Sequence, residues 1–216
     1  MLVPGAGGAP SYWDLVVALL RDRGHVAVAV DLPGPDPAAG LPEYTDRVLS
    51  AVGDGRGVVV VGLSMGAFPS VMACARTPVD QLVLLNAMIP APGETPGDWW
   101  GNTGSEPARL AAAEAGGYPT DFDLKTYFLH DVPPEIVLDD RDEADIAFSH
   151  PCDITAWPSV PTRVVAAESD RFFPAPFQAR LARERVGVEA EYVPGGHLNA
   201  LSHPAELVDY LVTSAR

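Results

Sequence analysis

Val58-Val59-Val60-Val61-Gly62-Leu63-Ser64-Met65-Gly66 is the stretch that decides the fold class. Four consecutive valines lack the alternation of a half-buried strand and match one buried on both faces, as in a parallel sheet. Gly62-x-Ser64-x-Gly66 follows at once, and a helical pattern runs from Met65 to about Arg76. Strand, G-x-S-x-G and helix in that order describe a nucleophile elbow, with the serine at the tip of a strained turn and its hydroxyl held above the sheet. The two glycines let strand and helix pass closely, because neither carries a Cβ.

Upstream of this unit, Met1 to Val3 is a strand stub ending in Pro4-Gly5-Ala6-Gly7-Gly8, and Tyr12 to Arg23 is amphipathic through Trp13, Val16, Val17 and Leu20. The glycine loop has no following G-K-[ST], so it does not match a phosphate cradle; small residues there suit a backbone N–H aimed beside Ser64. His25 to Val30 is a second strand, and a helix is expected from about Glu43 to Val52. Downstream, Gln81 to Leu85 is another strand, after which the alternation stops.

Residues 87–159 are rich in Pro, Gly, aromatics and carboxylates, with helical stretches near Pro107 to Ala115, Asp123 to Leu129, Pro134 to Val137 and Asp142 to Phe148. So long an insertion without strands suits a cap over a site. Regular structure resumes with strand Thr162 to Ala167, helix Pro174 to Arg185, strand Val188 to Val193 and a last helix ending near Thr213. The expected organisation is core over 1–86, cap over 87–159 and core again over 160–216. The class is α/β, with a mostly parallel six-stranded sheet, helices on both faces and ligands at the carboxyl ends of the strands.

A serine hydroxyl needs a base to take its proton, and the base needs a partner to orient it. His25 opens a strand at the far end, His130 and His150 lie in the insertion, and His203 precedes a proline near the last helix. His197 directly follows strand Glu191-Tyr192-Val193 and the turn Pro194-Gly195-Gly196, on the same sheet edge as Ser64. The loop after Ala167 supplies Glu168 and Asp170 as acids; Asp170 is farther from the strand and precedes the helix entry Phe172-Phe173-Pro174, which favours it. Ser64, Asp170 and His197, each after its own strand, occur in the chain order of one triad-bearing fold.

Over nearly its whole length the chain resembles the α/β-hydrolase superfamily, most closely the compact branch of plant methylesterases and hydroxynitrile lyases. Leu2-Val3-Pro4-Gly5-Ala6 through Trp13 is similar in spacing to that branch's first loop, with Pro4 in place of its usual histidine. Asp170-Arg171-Phe172-Phe173-Pro174-Ala175-Pro176-Phe177-Gln178 and Gly195-Gly196-His197 match its acid and histidine segments. The resemblance implies an oxyanion hole from the backbone N–H groups of Ala6 and Met65, and six strands with His25 to Val30 on an edge. The branch's lyases have threonine and lysine where this chain has Gly5 and Leu198; lacking that cation to stabilise cyanide, the chain is expected to hydrolyse small neutral or apolar carboxylic esters, lactones or thioesters.

The insertion supplies pocket candidates Met88, Ile89, Trp99, Trp100, Tyr118, Phe122, Tyr127 and Phe128, with Leu198 beside the histidine. The acidic run Asp139, Asp140, Asp142, Glu143 and Asp145 suits a solvated helix face. A C–C lyase, cyclase or perhydrolase of the same fold, and a non-catalytic small-ligand receptor, stay open as alternatives.

With 216 residues, 47% hydrophobic and 20% charged, the chain is one globular domain. A formal charge of −15 argues against nucleic acid and anionic membranes, both of which need a basic patch. Scattered histidines and two distant cysteines, Cys74 and Cys152, suggest free thiols, no metal and no cofactor. No charged apolar leader precedes the first strand and no apolar run approaches a membrane span, so a cytoplasmic protein is expected, with the cap as the surface for any homodimer.

Overall fold

The computed structural model describes residues 1–139 and 141–214. Five strands, β1 (Leu2–Val3), β2 (Val59–Leu63), β3 (Gln81–Leu85), β4 (Thr162–Ala167) and β5 (Ala190–Val193), form one sheet in chain order, every pair parallel. Parallel neighbours need crossovers, and here helices supply them on both faces.

Alternation along the strands decides which face each residue serves. Val3, Val60, Leu82, Leu84 and Val164 pack in one cluster with helices α2 (Leu41–Val52), α3 (Ala67–Cys74) and α8 (Ala175–Leu181). Leu2, Val61, Val83, Leu85 and Val165 point the other way, onto Trp13, α1 (Asp14–Asp22) and the last helix, α10 (Pro204–Ser214). The valine run of β2 is therefore shared between two apolar layers, which is why it shows no polar face.

The expected sixth strand is reduced to a bridge. Ala29 pairs parallel with Leu2, through Leu2 N–H to Val28 O (2.8 Å) and Val30 N–H to Leu2 O (2.9 Å). β1 offers only two residues before Pro4, which has no N–H, so the ladder stops there. The segment still lies at the expected edge, beside β1.

Between β3 and β4 lie α4 (Pro96–Thr103), α5 (Ser105–Gly116), α6 (Leu124–Tyr127) and α7 (Ile146–Ser149), and α9 (Asn199–Ser202) precedes α10. α4 was not legible because Gly97 and Gly101 interrupt its pattern, yet it is started by Thr95, whose hydroxyl accepts the Asp98 N–H at 2.9 Å, with Pro96 in the first turn. The expected helix near Pro134 to Val137 is a turn followed by chain without regular structure. The acidic run is not one helix face. Only Ile146–Ser149 is helical there, Glu143 is half-buried, and Asp140 lies outside the described residues. Met88, Ile89, Trp99, Ala147 and Cys152 share the cluster of Val60 and Leu82, so the segment packs on the sheet's own core.

Cys74 and Cys152 are both free and buried, and burial pushes each thiol up to about 12. Among the described residues no helix is long and apolar enough to cross a membrane.

Candidate active site

Ser64 leaves β2 with φ of 50°, in the left-handed region that a side chain disfavours. The turn is tight on every side. A Cβ on Gly62 would stand 2.7 Å from Ser70 Oγ, one on Gly66 2.2 Å from Pro4 O, and one on Gly5 3.2 Å from Ser64 Cβ. The first two demand glycine; the third shows the Pro4-Gly5-Ala6 loop passing directly over the serine. Ser64 O accepts the Met88 N–H at 2.9 Å, which draws the chain after β3 against the elbow.

His197 and Asp170 are brought together from the tips of β5 and β4. Their side chains are about 1% and 0% exposed, with Nδ1 of His197 2.8 Å from Oδ2 of Asp170. The other carboxylate oxygen accepts the N–H groups of Phe172 (2.8 Å) and Phe173 (2.9 Å), so the acid is oriented by its own loop. An ionised carboxylate only accepts, so the imidazole proton belongs on Nδ1 and Nε2 is left with its lone pair. Phe128, Phe172 and Phe173 close on the ring nearly edge-on, with centroids 4.8, 5.2 and 5.2 Å away. These rings exclude water from the pair. Glu168, the other acid considered, is exposed.

Ser64, His197, Met65 and Ala6 border one cavity of about 490 Å³. Its volume falls in the range of drug-sized ligand sites. Of the residues proposed from sequence for a pocket, Met88, Trp100, Phe128 and Leu198 border this cavity. Trp99 and Tyr127 do not. Trp99 is fully buried under Phe173 and Phe177 with its indole N–H donated to Ile89 O (2.9 Å), and Tyr127 is buried against Tyr118 and Phe122 with its hydroxyl on Pro119 O (2.7 Å). Both are core residues, since each has its polar tip satisfied inside the protein. Ile89, Tyr118 and Phe122 likewise stand off the cavity, whereas Tyr12, Leu15, Leu124, Ile136, Phe148 and Phe172 line it without having been singled out. Tyr12 and Leu15 were the detectable ones, three apart at a helix start.

Asn86 also escaped sequence reasoning. It is fully buried with φ of 43°, and its Oδ1 accepts the Ala167 N–H (2.7 Å) while its amide donates to His197 O (3.0 Å) and Gly196 O (3.3 Å). One side chain thus ties the tip of β3 to the loops carrying the acid and the histidine. Asp131 adds a second tie, accepting from Gly196 N–H (2.6 Å) and Ser202 Oγ (2.8 Å). Asn86 is a polar residue at the end of an apolar run and Asp131 one carboxylate among many in the insertion, signals too common to single out.

Among the described residues the charged groups at the cavity are Asp14, Asp139 and Arg141; Arg141 donates to Asp31 (2.7 Å) and Asp139 (3.1 Å), so it is already paired. Among the described residues no group of three or more His, Cys, Asp or Glu side chains is placed to hold a metal ion. The arrangement can deprotonate a hydroxyl at a cavity wall and hold the resulting imidazolium beside a buried carboxylate.

A family model described as "Alpha/beta hydrolase family" matches residues 1–210. The Phoma sp. protein named "Probable hydrolase R7" is 28% identical over 240 residues, covering 100% of this chain and 97% of its own. "Probable esterase PIR7A" of Oryza sativa subsp. indica is 37% identical over 106 residues, 44% of this chain and 40% of its own. Among solved structures, a pyrethroid hydrolase from Sphingobium faniae JZ-2 superposes with a TM-score of 0.79 at 22% identity, covering 99% of this chain and 95% of that one. A methylesterase from Arabidopsis superposes with a TM-score of 0.76 at 20% identity, covering 99% and 96%.

Proposed function

The chain belongs to the alpha/beta hydrolase family and is an enzyme of that class, and from that premise we propose that it hydrolyses neutral, apolar carboxylic esters through Ser64, His197 and Asp170. The observation that carries this reading is the buried 2.8 Å His197–Asp170 pair opening on the same cavity as a serine held at positive φ. Ser64 attacks the ester carbonyl while Nε2 of His197 takes its proton, and the Asp170 carboxylate stabilises the imidazolium. The oxyanion is held by the N–H groups of Met65 and Ala6, fixed dipoles in a site with apolar walls. His197 then gives the proton to the leaving alkoxide, and water hydrolyses the acyl-enzyme by the same steps in reverse order.

The substrate is a small molecule, selected by a cap over residues 87–159. That segment supplies Met88, Trp100, Leu124, Phe128, Ile136 and Phe148 to the wall. Apolar walls and a paired Arg141 favour uncharged substrates, and the volume admits acyl or alkoxy groups well beyond acetate. Pyrethroid and methyl ester hydrolysis, named for the structural neighbours, are the first chemistries to try here. Leu198 beside the histidine is apolar, so no side-chain cation stands there for a cyanide leaving group, which favours hydrolysis over lyase chemistry. Two free buried thiols fit action in the cytoplasm.

A p-nitrophenyl ester series of increasing chain length, run beside Ser64→Ala, tests the reading. The variant should lose on the order of 10⁴–10⁶ in kcat while its melting temperature stays near that of the parent. Turnover persisting in Ser64→Ala would sink the serine mechanism, and a folded parent inert on every ester would move the proposal to the lyase, cyclase or receptor alternatives.

A further inference from the structure

The segment Pro4-Gly5-Ala6-Gly7-Gly8-Ala9 passes over Ser64 without a single side-chain hydrogen-bonding group, so whatever fixes its shape must come from elsewhere in the chain. Gly8 N–H donates to Gly5 O at 3.1 Å, closing a turn whose third residue, Gly7, has φ of 81°. That is the φ a type II turn requires at its third position. Gly5 O and Ala6 N–H belong to one planar peptide and point in opposite directions. Holding Gly5 O therefore aims Ala6 N–H the other way.

Type I and type II turns differ by a flip of the central peptide, here Ala6–Gly7. Its N–H, on Gly7, donates to Oε2 of Glu143 at 2.6 Å, across 136 residues of sequence. The flipped turn would put a carbonyl oxygen against that carboxylate; because the Gly5–Ala6 peptide keeps its direction in both turn types, Glu143 acts by anchoring the turn through Gly7, not by rotating Ala6 N–H itself. Tyr44, fully buried on α2, donates its hydroxyl to the other carboxylate oxygen. The neighbouring backbone closes the clamp: a Cβ on Gly7 would lie 2.5 Å from Arg141 O, one on Gly34 would lie 2.4 Å from Gly7 O, and Ala144 N–H donates to Gly34 O at 2.8 Å.

We propose that Glu143 is a positioning residue for oxyanion stabilisation: by anchoring Gly7 it holds in place the turn whose Gly5 O–Gly8 N–H bond aims Ala6 N–H at the substrate carbonyl oxygen, with Tyr44 holding Glu143. This rests on the reading of Ala6 as an oxyanion donor. A purely architectural role explains the residue poorly. Its carboxylate is half-buried and, among the described residues, no cation is bonded to it, the nearby Arg141 being engaged by Asp31 and Asp139. Burial raises its pKa above the ordinary carboxylate value, against the lowering effect of the Tyr44 hydroxyl and the Gly7 N–H.

The test compares Glu143→Leu, Glu143→Gln, Tyr44→Phe and Ser64→Ala with the parent protein. It measures kcat and KM on p-nitrophenyl butyrate, melting temperature, and inhibition by an alkyl trifluoromethyl ketone, whose serine adduct places an oxyanion in the hole. Glu143→Leu is expected to lower kcat about 10–100-fold, below the ~10²–10³ of a lost donor, with KM within about threefold, weaker ketone inhibition and no fall in melting temperature. Glu143→Gln should restore kcat to within a few-fold, since its amide oxygen accepts Gly7 N–H and its amide nitrogen donates to the Tyr44 oxygen. Glu143→Leu retaining kcat within about twofold overturns the proposal, as does a kcat loss that tracks a fall in melting temperature in both Glu143 variants. Should Glu143→Leu fail to fold, Tyr44→Phe decides: weakened ketone inhibition at unchanged KM supports the proposal and unchanged inhibition overturns it. Turnover by Ser64→Ala would overturn the serine reading and this inference with it, whereas an inactive Ser64→Ala beside a fully active Glu143→Leu overturns the inference alone.

Discussion

On one side of Ser64, His197 and Asp170 stand on loops that leave adjacent strands, bonded to each other, to the N–H groups of Phe172 and Phe173, and through Asn86 to the tip of β3. On the other side, the glycine-rich loop after β1 owns no polar side chain and is held by Glu143 from a distant part of the chain. The acid–base side is thus built from strand tips that the sheet register already places, and the facing loop depends on the packing of residues 141–144. Damage to the two sides should therefore look different: loss of chemistry with the fold intact on the first, and a graded loss tied to loop shape on the second.

The largest effect expected from breaking the first side is that of Asp170→Asn, about 10⁴ in kcat, because the amide can still accept the Phe172 and Phe173 N–H groups but no longer stabilises the imidazolium. Steady-state hydrolysis of an activated ester measures it. A loss below tenfold would show that the buried pair is not the working base.

Trp99→Ala and Trp100→Ala separate packing from lining. Trp99 is fully buried beneath Phe173, so its removal should cost about 3–5 kcal/mol of stability. Trp100 borders the cavity, so its removal should change the ester chain-length profile. Urea denaturation and that profile, read for both variants, would blur the distinction if the two behaved alike.

Asn86→Ala should cost about 2–4 kcal/mol, the scale of leaving one or two buried backbone groups without partners, and should lower kcat as well, since the His197 loop loses its tie. Stability unchanged within about half a kcal/mol would mean the tie is redundant with Asp131.

Smallest, and on the other side, is the pH dependence contributed by Glu143. Its folded pKa is raised by burial above the ordinary 4.5, so the folded state binds the proton more tightly than the unfolded chain. The stability linked to it is fully present below the unfolded value and is lost as pH rises through the folded one. Melting temperatures of the parent and Glu143→Gln from pH 4 to 8 should therefore diverge in favour of the variant toward neutrality. Parallel curves would mean that the carboxylate is effectively solvated.

The candidate site is legible in the sequence unevenly. The valine run, the G-x-S-x-G turn and the apolar runs ending at Ala167 and Val193 marked the strand tips, because burial between two layers leaves a strand no polar positions to confuse its reading. His25 to Val30 misled in the same way: its apolar content is that of a strand, but Pro4 ends the partner's ladder after one bridge. Trp99 and Tyr127 misled differently, since an aromatic in an insertion has the same composition whether it roofs a cavity or fills a core. Glu143 was hidden inside a run of carboxylates that look alike until one of them is turned inward.

What the sequence by itself determined, then, is whatever depends on neighbours along the chain: the continuous burial of the central strands, the strained turn that glycine permits at residues 62 and 66, and the loops that follow the strands. Tertiary structure decided what depends on partners far apart in the chain: which aromatics face the cavity, how Asn86 joins three strand tips, and how Glu143 reaches Gly7. Local pattern carries the energetics of φ, ψ and alternation, whereas a hydrogen bond across 136 residues exists only once two distant segments have been packed together by the core between them.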